Sequence, residues 1–270
     1  MSFVRRHRLA VFFALTFVLT WWSWPFQALG IAPTAHWPAG PLVAALIVIG
    51  LTEGVAGYRD LGSRLIRWRV GWPMWVIAIG TPLVVLALAA TANVTLWGAA
   101  APDLAAMAWG DIALVAAIRF VNPLDGPLGE EPGWRGYAQP RMQATRSPLV
   151  VATVLGLVVA LWHLPLVTTG SLAPIGLAVT FAITYVYVWI VNRSRGSLLM
   201  PLLFHIAQGT VSYAALGFAG ADAARMDWLT GGLWVLLAAG LVLGDRAAWR
   251  AAPAEAVVRG ESSDEISTVH

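Results

Sequence analysis

The sequence predicts an all-α polytopic membrane protein of about eight transmembrane helices with both termini cytoplasmic. Three observations predict it. Of 270 residues, 59% are hydrophobic and only 11% are charged, where a soluble domain carries about 25% charged residues; the mean hydropathy is +0.71. Apolar runs close to the ~20 residues needed to cross the hydrocarbon core recur along the chain. All 17 basic residues are arginines, and they gather in alternate loops, as the positive-inside rule requires.

The elements follow in order. MSFVRRHR places three arginines ahead of an apolar run from Leu9 to about Ile31, too long for a signal peptide and without a small-residue cleavage site, so it reads as a retained first helix. A second span covers about Pro41 to Ala56. The stretch from Tyr58 to Trp72 then carries Arg59, Arg64, Arg67 and Arg69 among apolar residues, the pattern of a basic amphipathic helix on the anionic leaflet. A third span runs from about Pro73 to Trp97. The fourth starts near Ile112 and is broken by Arg119 and NPLDGPLG; the fifth covers Pro148 to Val167, and the sixth about Leu172 to Val191. The seventh runs from Ser197 to about Phe218, and the eighth from Trp228 to Leu243. Residues 1–246 thus form one transmembrane domain, with a catalytic core expected over about 108–215, and 247–270 form a polar tail without fixed structure.

Sidedness follows from arginine. The N-terminus, loops 57–70, 133–147 and 192–196 and the tail bear it, whereas the loops near 31–40, 98–108 and 168–172 have none and 219–227 has only Arg225. This explains the net charge of +3 and the pI near 9.8 without any nucleic-acid partner. The implied location is the inner (plasma) membrane, with membrane lipid as a constant partner. Zero cysteines exclude disulfides, thiolate metal ligands and a cysteine nucleophile. The 15 tryptophans, many at predicted span ends, read as an interfacial belt.

One stretch stands out against this oily background. GEEPGWRGY, residues 129–137, holds the adjacent carboxylates Glu130 and Glu131, with Arg135 one helical turn after the second. Of five histidines, His7, His36 and His270 lie in terminal or loop positions, while His163 and His205 sit inside apolar spans. An unpaired imidazole there is costly, so these two are expected to meet the glutamates. Such a cluster supports two chemistries. A glutamate can deprotonate a water while histidines stabilise the charge on the attacked carbonyl, or Glu and His can hold a divalent metal that acidifies the water. No HExxH is present, which argues against a zincin. At 1.5 Å per residue, His205 lies roughly 12 Å and His163 roughly 22 Å into their spans, so the Glu pair must also sit at membrane depth. Asn122 and Asp125 in the broken fourth span are further candidates. Arg119 is expected to pair with Asp125, Arg135 to hold Glu131, and Glu53 to be solvated.

These residues carry a resemblance. GEEPGWRGY resembles the EExxxR motif of the CPBP intramembrane proteases, and LWHLP and PLLFH resemble their second- and third-motif histidines. This family, also called Abi or CAAX proteases, includes the type II CAAX prenyl endopeptidases. The resemblance implies an intramembrane endopeptidase acting in a cytoplasm-facing cavity on a protein or peptide substrate, such as a prenylated C-terminal tail. It implies Glu130 as general base with His163, His205 as oxyanion stabiliser, and Glu131 and Arg135 in support. Family members divide between metalloproteases and metal-independent enzymes; if metal is used, zinc would be held by His163 and His205 with Glu131. The family commonly has Asn four residues after the third-motif histidine. Gly209 stands there in this chain, which leaves one oxyanion donor missing or supplied by Gln208. Two other classes fit parts of the pattern: a non-catalytic scaffold or bacteriocin-immunity protein retaining the motifs, and a proton-coupled transporter.

Overall fold

The computed structural model describes residues 2–250, and no strand occurs among them. The N-terminal helices are α1 (Ser2–Arg6), α2 (Arg8–Trp21), α3 (Trp24–Ala28), α4 (Gly40–Thr52) and α5 (Gly54–Leu65). Next come α6 (Trp72–Trp97), α7 (Trp109–Val121) and α8 (Pro127–Glu131), a π-helical segment (Pro132–Ala138) and α9 (Gln139–Gln143). The remainder is α10 (Pro148–Trp162), α11 (Leu164–Thr168), α12 (Ile175–Arg193), α13 (Leu199–Thr210), α14 (Gly220–Gly244) and α15 (Arg246–Trp249).

Five segments are long and apolar enough to cross a membrane: Arg8–Ala28, Trp72–Trp97, Pro148–Thr168, Ile175–Arg193 and Gly220–Gly244. The chain is a multi-pass membrane protein. The other three expected spans correspond to α4, α7 and α13, of 13, 13 and 12 residues. At 1.5 Å per residue these reach only about 20 Å, short of the ~30 Å hydrocarbon core. The seventh was drawn too long because residues 211–218, though apolar, turn back instead of continuing α13. The tail boundary at 246 falls at α15, whose Trp249 is buried and donates Nε1–H to Leu241 O at 2.9 Å. Residues 251–270, with the rest of the polar tail and His270, lie outside the described residues.

Local chemistry explains the elements that set the site. Ser147 is extended and caps α10, its Oγ accepting from Val150 N, and Pro148 follows at the position where a missing N–H is harmless. Pro165 cannot donate back to the preceding turn, so the span is interrupted at His163 before resuming as α11. Trp162 O, left by that break, accepts Trp21 Nε1–H at 3.0 Å. Around α8 and the π-helical segment, Phe12, Ala44, Val48, Ile49, Trp134, Tyr137 and Trp162 form one core. A second core, with Tyr187, Phe204 and Trp234, joins α6, α12, α13 and α14. The glutamate segment lies between them. Outward surfaces carry large apolar side chains, and α7 buries no residue at all, as expected where lipid is the solvent.

Two expectations for the charged loops change. Arg64 is buried rather than spread on the leaflet, and donates to Gly196 O, Gly136 O and Arg135 O at 3.0, 2.9 and 3.3 Å. It thereby satisfies carbonyls of the π-helical segment, so α5 is part of the fold's support and not only a surface anchor. Glu53 is not simply solvated either. It takes a two-pronged contact from Arg141 Nη2, 2.6 Å to Oε1 and 2.5 Å to Oε2. The lone arginine of the arginine-poor loops, Arg225, is held by Asp222 and Asn93, each at 2.7 Å.

Candidate active site

The glutamate motif folds as the last turn of α8 followed directly by the π-helical segment. Gly126 starts it with φ 82°, a conformation that side chains rarely adopt, and Pro127 begins the helix. Gly133 then lets the segment touch α4, since a Cβ there would lie 2.5 Å from the Pro41 backbone. Single turns of π-helix are rare and are frequently found at functional sites. Here the turn buries Glu130, Glu131 and Arg135 to 6%, 0% and 2% exposure.

The two glutamates have different surroundings. Glu131 Oε1 receives His205 Nδ1 at 2.8 Å, and its Oε2 faces Arg135 Nε at 3.4 Å. Arg135 is further held over the Tyr187 ring, 4.1 Å from the centroid. Glu131 is therefore a buried carboxylate spanned by a cation and an imidazole. Among the described residues Glu130 makes no such bond. Its Oε1 and His205 Nε2 lie 3.2 and 3.8 Å from the point where a Gly126 Cβ would sit, so both atoms border the space of one absent side chain.

His163 stands at the break between α10 and α11. Its Nδ1 lies 2.8 Å from Val159 O, and because a carbonyl only accepts, Nδ1 carries the proton and Nε2 is left with a lone pair in the neutral ring. Glu130, His205 and Arg135 are the charges close enough to act on this ring. His163 and Gln208 also line a cavity of about 280 Å³ shared with Thr180, Tyr213, Asp227 and Thr230. Leu172, Tyr213 and Asp227 belong to or border the arginine-poor loops, so this cavity extends away from the side expected to be cytoplasmic.

Gln208 lies three residues after His205 on α13, so the two are neighbours on the helix surface. Tyr187 O–H donates to its Oε1 at 3.3 Å, and Gln208 lines the cavity together with His163. Asp125 accepts from Arg119 Nη1 at 3.0 Å, the expected pair, while Asn122 Oδ1 caps Leu124 N. The expected metal set fits poorly. His163, His205 and Glu131 would have to ligate together, yet both Glu131 oxygens already face His205 and Arg135. No group of three or more His, Cys, Asp or Glu side chains disposed to hold an ion is present among the described residues.

One neighbour escaped the sequence reading. His36, in the loop before α4, is buried with its ring 4.1 Å from Trp162 and 5.6 Å from His163, centroid to centroid. Burial first, and the adjacent His163 second, lower its pKa to about 3, so it is neutral at physiological pH. No periodicity marks a loop histidine for burial; only the packing of the loop over the broken end of α10 does so.

Residues 111–211 match the family described as Type II CAAX prenyl endopeptidase Rce1-like. The central segment is similar to that family. The match runs from α7 to the residue after α13 and contains Glu130, Glu131, Arg135, His163 and His205. No curated protein matches the chain.

Proposed function

We propose that this protein is an intramembrane endopeptidase of the CPBP/CAAX type that hydrolyses a peptide bond with a glutamate- and histidine-activated water. The observation that carries the reading is the contrast within the pair. Glu131 is hydrogen-bonded to His205 and ion-paired with Arg135, whereas among the described residues the neighbouring Glu130 carboxylate has no partner, and its Oε1 borders the same space as His205 Nε2. Of the two, only Glu130 is free to take a proton.

The chemistry then follows. A water between Glu130 and His163 Nε2 gives a proton to Glu130 while its oxygen attacks the peptide carbonyl carbon. Negative charge moves to the carbonyl oxygen, which faces His205 Nε2. With Nδ1 against Glu131, a doubly protonated His205 donates through Nε2, and the buried carboxylate balances its charge. Collapse of the tetrahedral species breaks the C–N bond, and Glu130 returns its proton to the leaving amine. Every proton is accounted for without a covalent enzyme intermediate.

The substrate proposed is a protein or peptide tail held at the membrane, with a prenylated C-terminus the form that the Rce1-like match suggests. The expected eight-helix topology with cytoplasmic termini in the plasma membrane is retained as part of the proposal, with α4, α7 and α13 as short members. The deciding experiment compares purified wild type with Glu130→Ala and His163→Ala on quenched peptides, with and without a prenyl-cysteine. Cleavage by the wild type alone is expected. Equal cleavage by all three would overturn the mechanism, and a phenotype without any cleavage would establish the scaffold or immunity alternative, which the bare position Gly209 favours.

A further inference from the structure

Position 209 has no side chain, and another helix fills the gap. Gly209 lies one turn beyond His205 on α13, so the two share a face of that helix. A Cβ at 209 would sit 2.5 Å from Arg119 Nη2 and 2.9 Å from Arg119 Cζ. The guanidinium thus rests against bare backbone in the volume that a side chain at 209 would occupy. It reaches there from the last turn of α7, an otherwise lipid-facing helix packed on α13 and α8.

Its other contacts place it at the site's edge. Nη1 donates to Asp125 Oδ1 at 3.0 Å, and the next residue, Gly126, is the one flanked by Glu130 Oε1 and His205 Nε2. Arg119 also acts electrostatically on Tyr187, as do Glu130, Glu131 and Arg135. Asp125 engages one nitrogen only. Nε is buried without a hydrogen-bond partner, and leaving such a donor unpaired is costly unless an acceptor arrives. A cation on a membrane-facing helix is itself expensive and marks function more often than packing.

We propose that Arg119 is a catalytic residue whose guanidinium, beside His205 Nε2, donates to the oxyanion formed on the attacked carbonyl. This rests on the peptidase reading. The step balances: the water's proton goes to Glu130, the carbonyl π electrons become the oxyanion lone pair, and Arg119 and His205 hold that charge without transferring a proton.

The test uses full-length protein in proteoliposomes with a peptide that the wild type cleaves and Glu130→Ala does not. Arg119→Gln is expected to lower kcat by ~10²–10³ with KM nearly unchanged, and Arg119→Lys to recover only part. Gly209→Asn alone must displace the guanidinium, since its Cβ would sit 2.5 Å from Arg119 Nη2. The double variant Arg119→Ala/Gly209→Asn places an amide donor where the guanidinium was, and is expected to exceed Arg119→Ala by about tenfold. A purely structural arginine would not be rescued this way. If Arg119→Gln keeps full kcat, or the double variant is no better than Arg119→Ala in folded protein, the proposal is overturned while the peptidase reading survives. If Glu130→Ala cleaves as well as the wild type, the peptidase reading falls and takes this role with it.

Discussion

Glu130 and Glu131 are adjacent and chemically identical, yet their removal should have opposite signatures. Glu131→Ala leaves Arg135, 2% exposed, without its carboxylate, and strips His205 of its Nδ1 partner at 2.8 Å. Breaking a buried pair from one side costs about 3–5 kcal/mol because the remaining charge is uncompensated, a large share of the 5–15 kcal/mol that holds a typical domain. Glu130→Ala removes a carboxylate with no ion-pair or hydrogen-bond partner, so its cost should stay within about 1 kcal/mol, while cleavage is abolished. Glu131→Gln keeps an acceptor for His205 but not the charge opposite Arg135, and should fall between. The assay is thermal or denaturant unfolding in detergent alongside peptide cleavage. Should Glu130→Ala destabilise as much as Glu131→Ala, the assignment of chemistry to one and support to the other would be refuted.

Other consequences can be checked together. Arg64→Ala should destabilise by about 2–4 kcal/mol, since three carbonyls lose a buried charged donor, and Arg64→Lys should not restore it because one ammonium cannot reach all three; unfolding measurements decide. His36 has its folded pKa depressed to about 3 from an ordinary 6.5, so between these values the unfolded chain binds the extra proton. Its stabilising contribution is therefore complete above pH 6.5 and is lost as pH falls toward 3, with a limiting slope of about 1.4 kcal/mol per pH unit; His36→Phe should flatten a stability–pH curve over that window. Because the chain has no cysteine, Thr180→Cys gives a single label in the 280 Å³ cavity. An impermeant maleimide should reach it from the side of the arginine-poor loops, and labelling only from the opposite side would show that the cavity drains to the cytoplasm.

Much of this was legible without a structure, for reasons that are local. Apolar runs and arginine placement report directly on a bilayer, so the all-α membrane class and the five long spans could be read from composition and length. The rarity of charge in such spans singled out Glu130, Glu131, His163 and His205, and the i, i+4 spacing named the Glu131–Arg135 pair before any coordinates. The Arg119–Asp125 pair was readable in the same way. Hydropathy could not tell a full-length span from a short helix, because α4, α7 and α13 are apolar like the longer segments but have only 13, 13 and 12 residues.

What the linear pattern could not supply is which groups meet. Two neighbouring glutamates look alike in sequence; the fold gives one of them Arg135 and His205 and leaves the other without a partner among the described residues. His36 reaches His163 only because its loop folds over the break at Pro165. Gly209 reads as a missing side chain, but a guanidinium 90 residues earlier in the chain occupies its place. The sequence by itself determined an all-α membrane protein and singled out its few glutamates and histidines in apolar surroundings. Tertiary structure alone decided that Glu131 meets Arg135 and His205, because contacts between distant segments are set by how helices pack, and no local spacing encodes that.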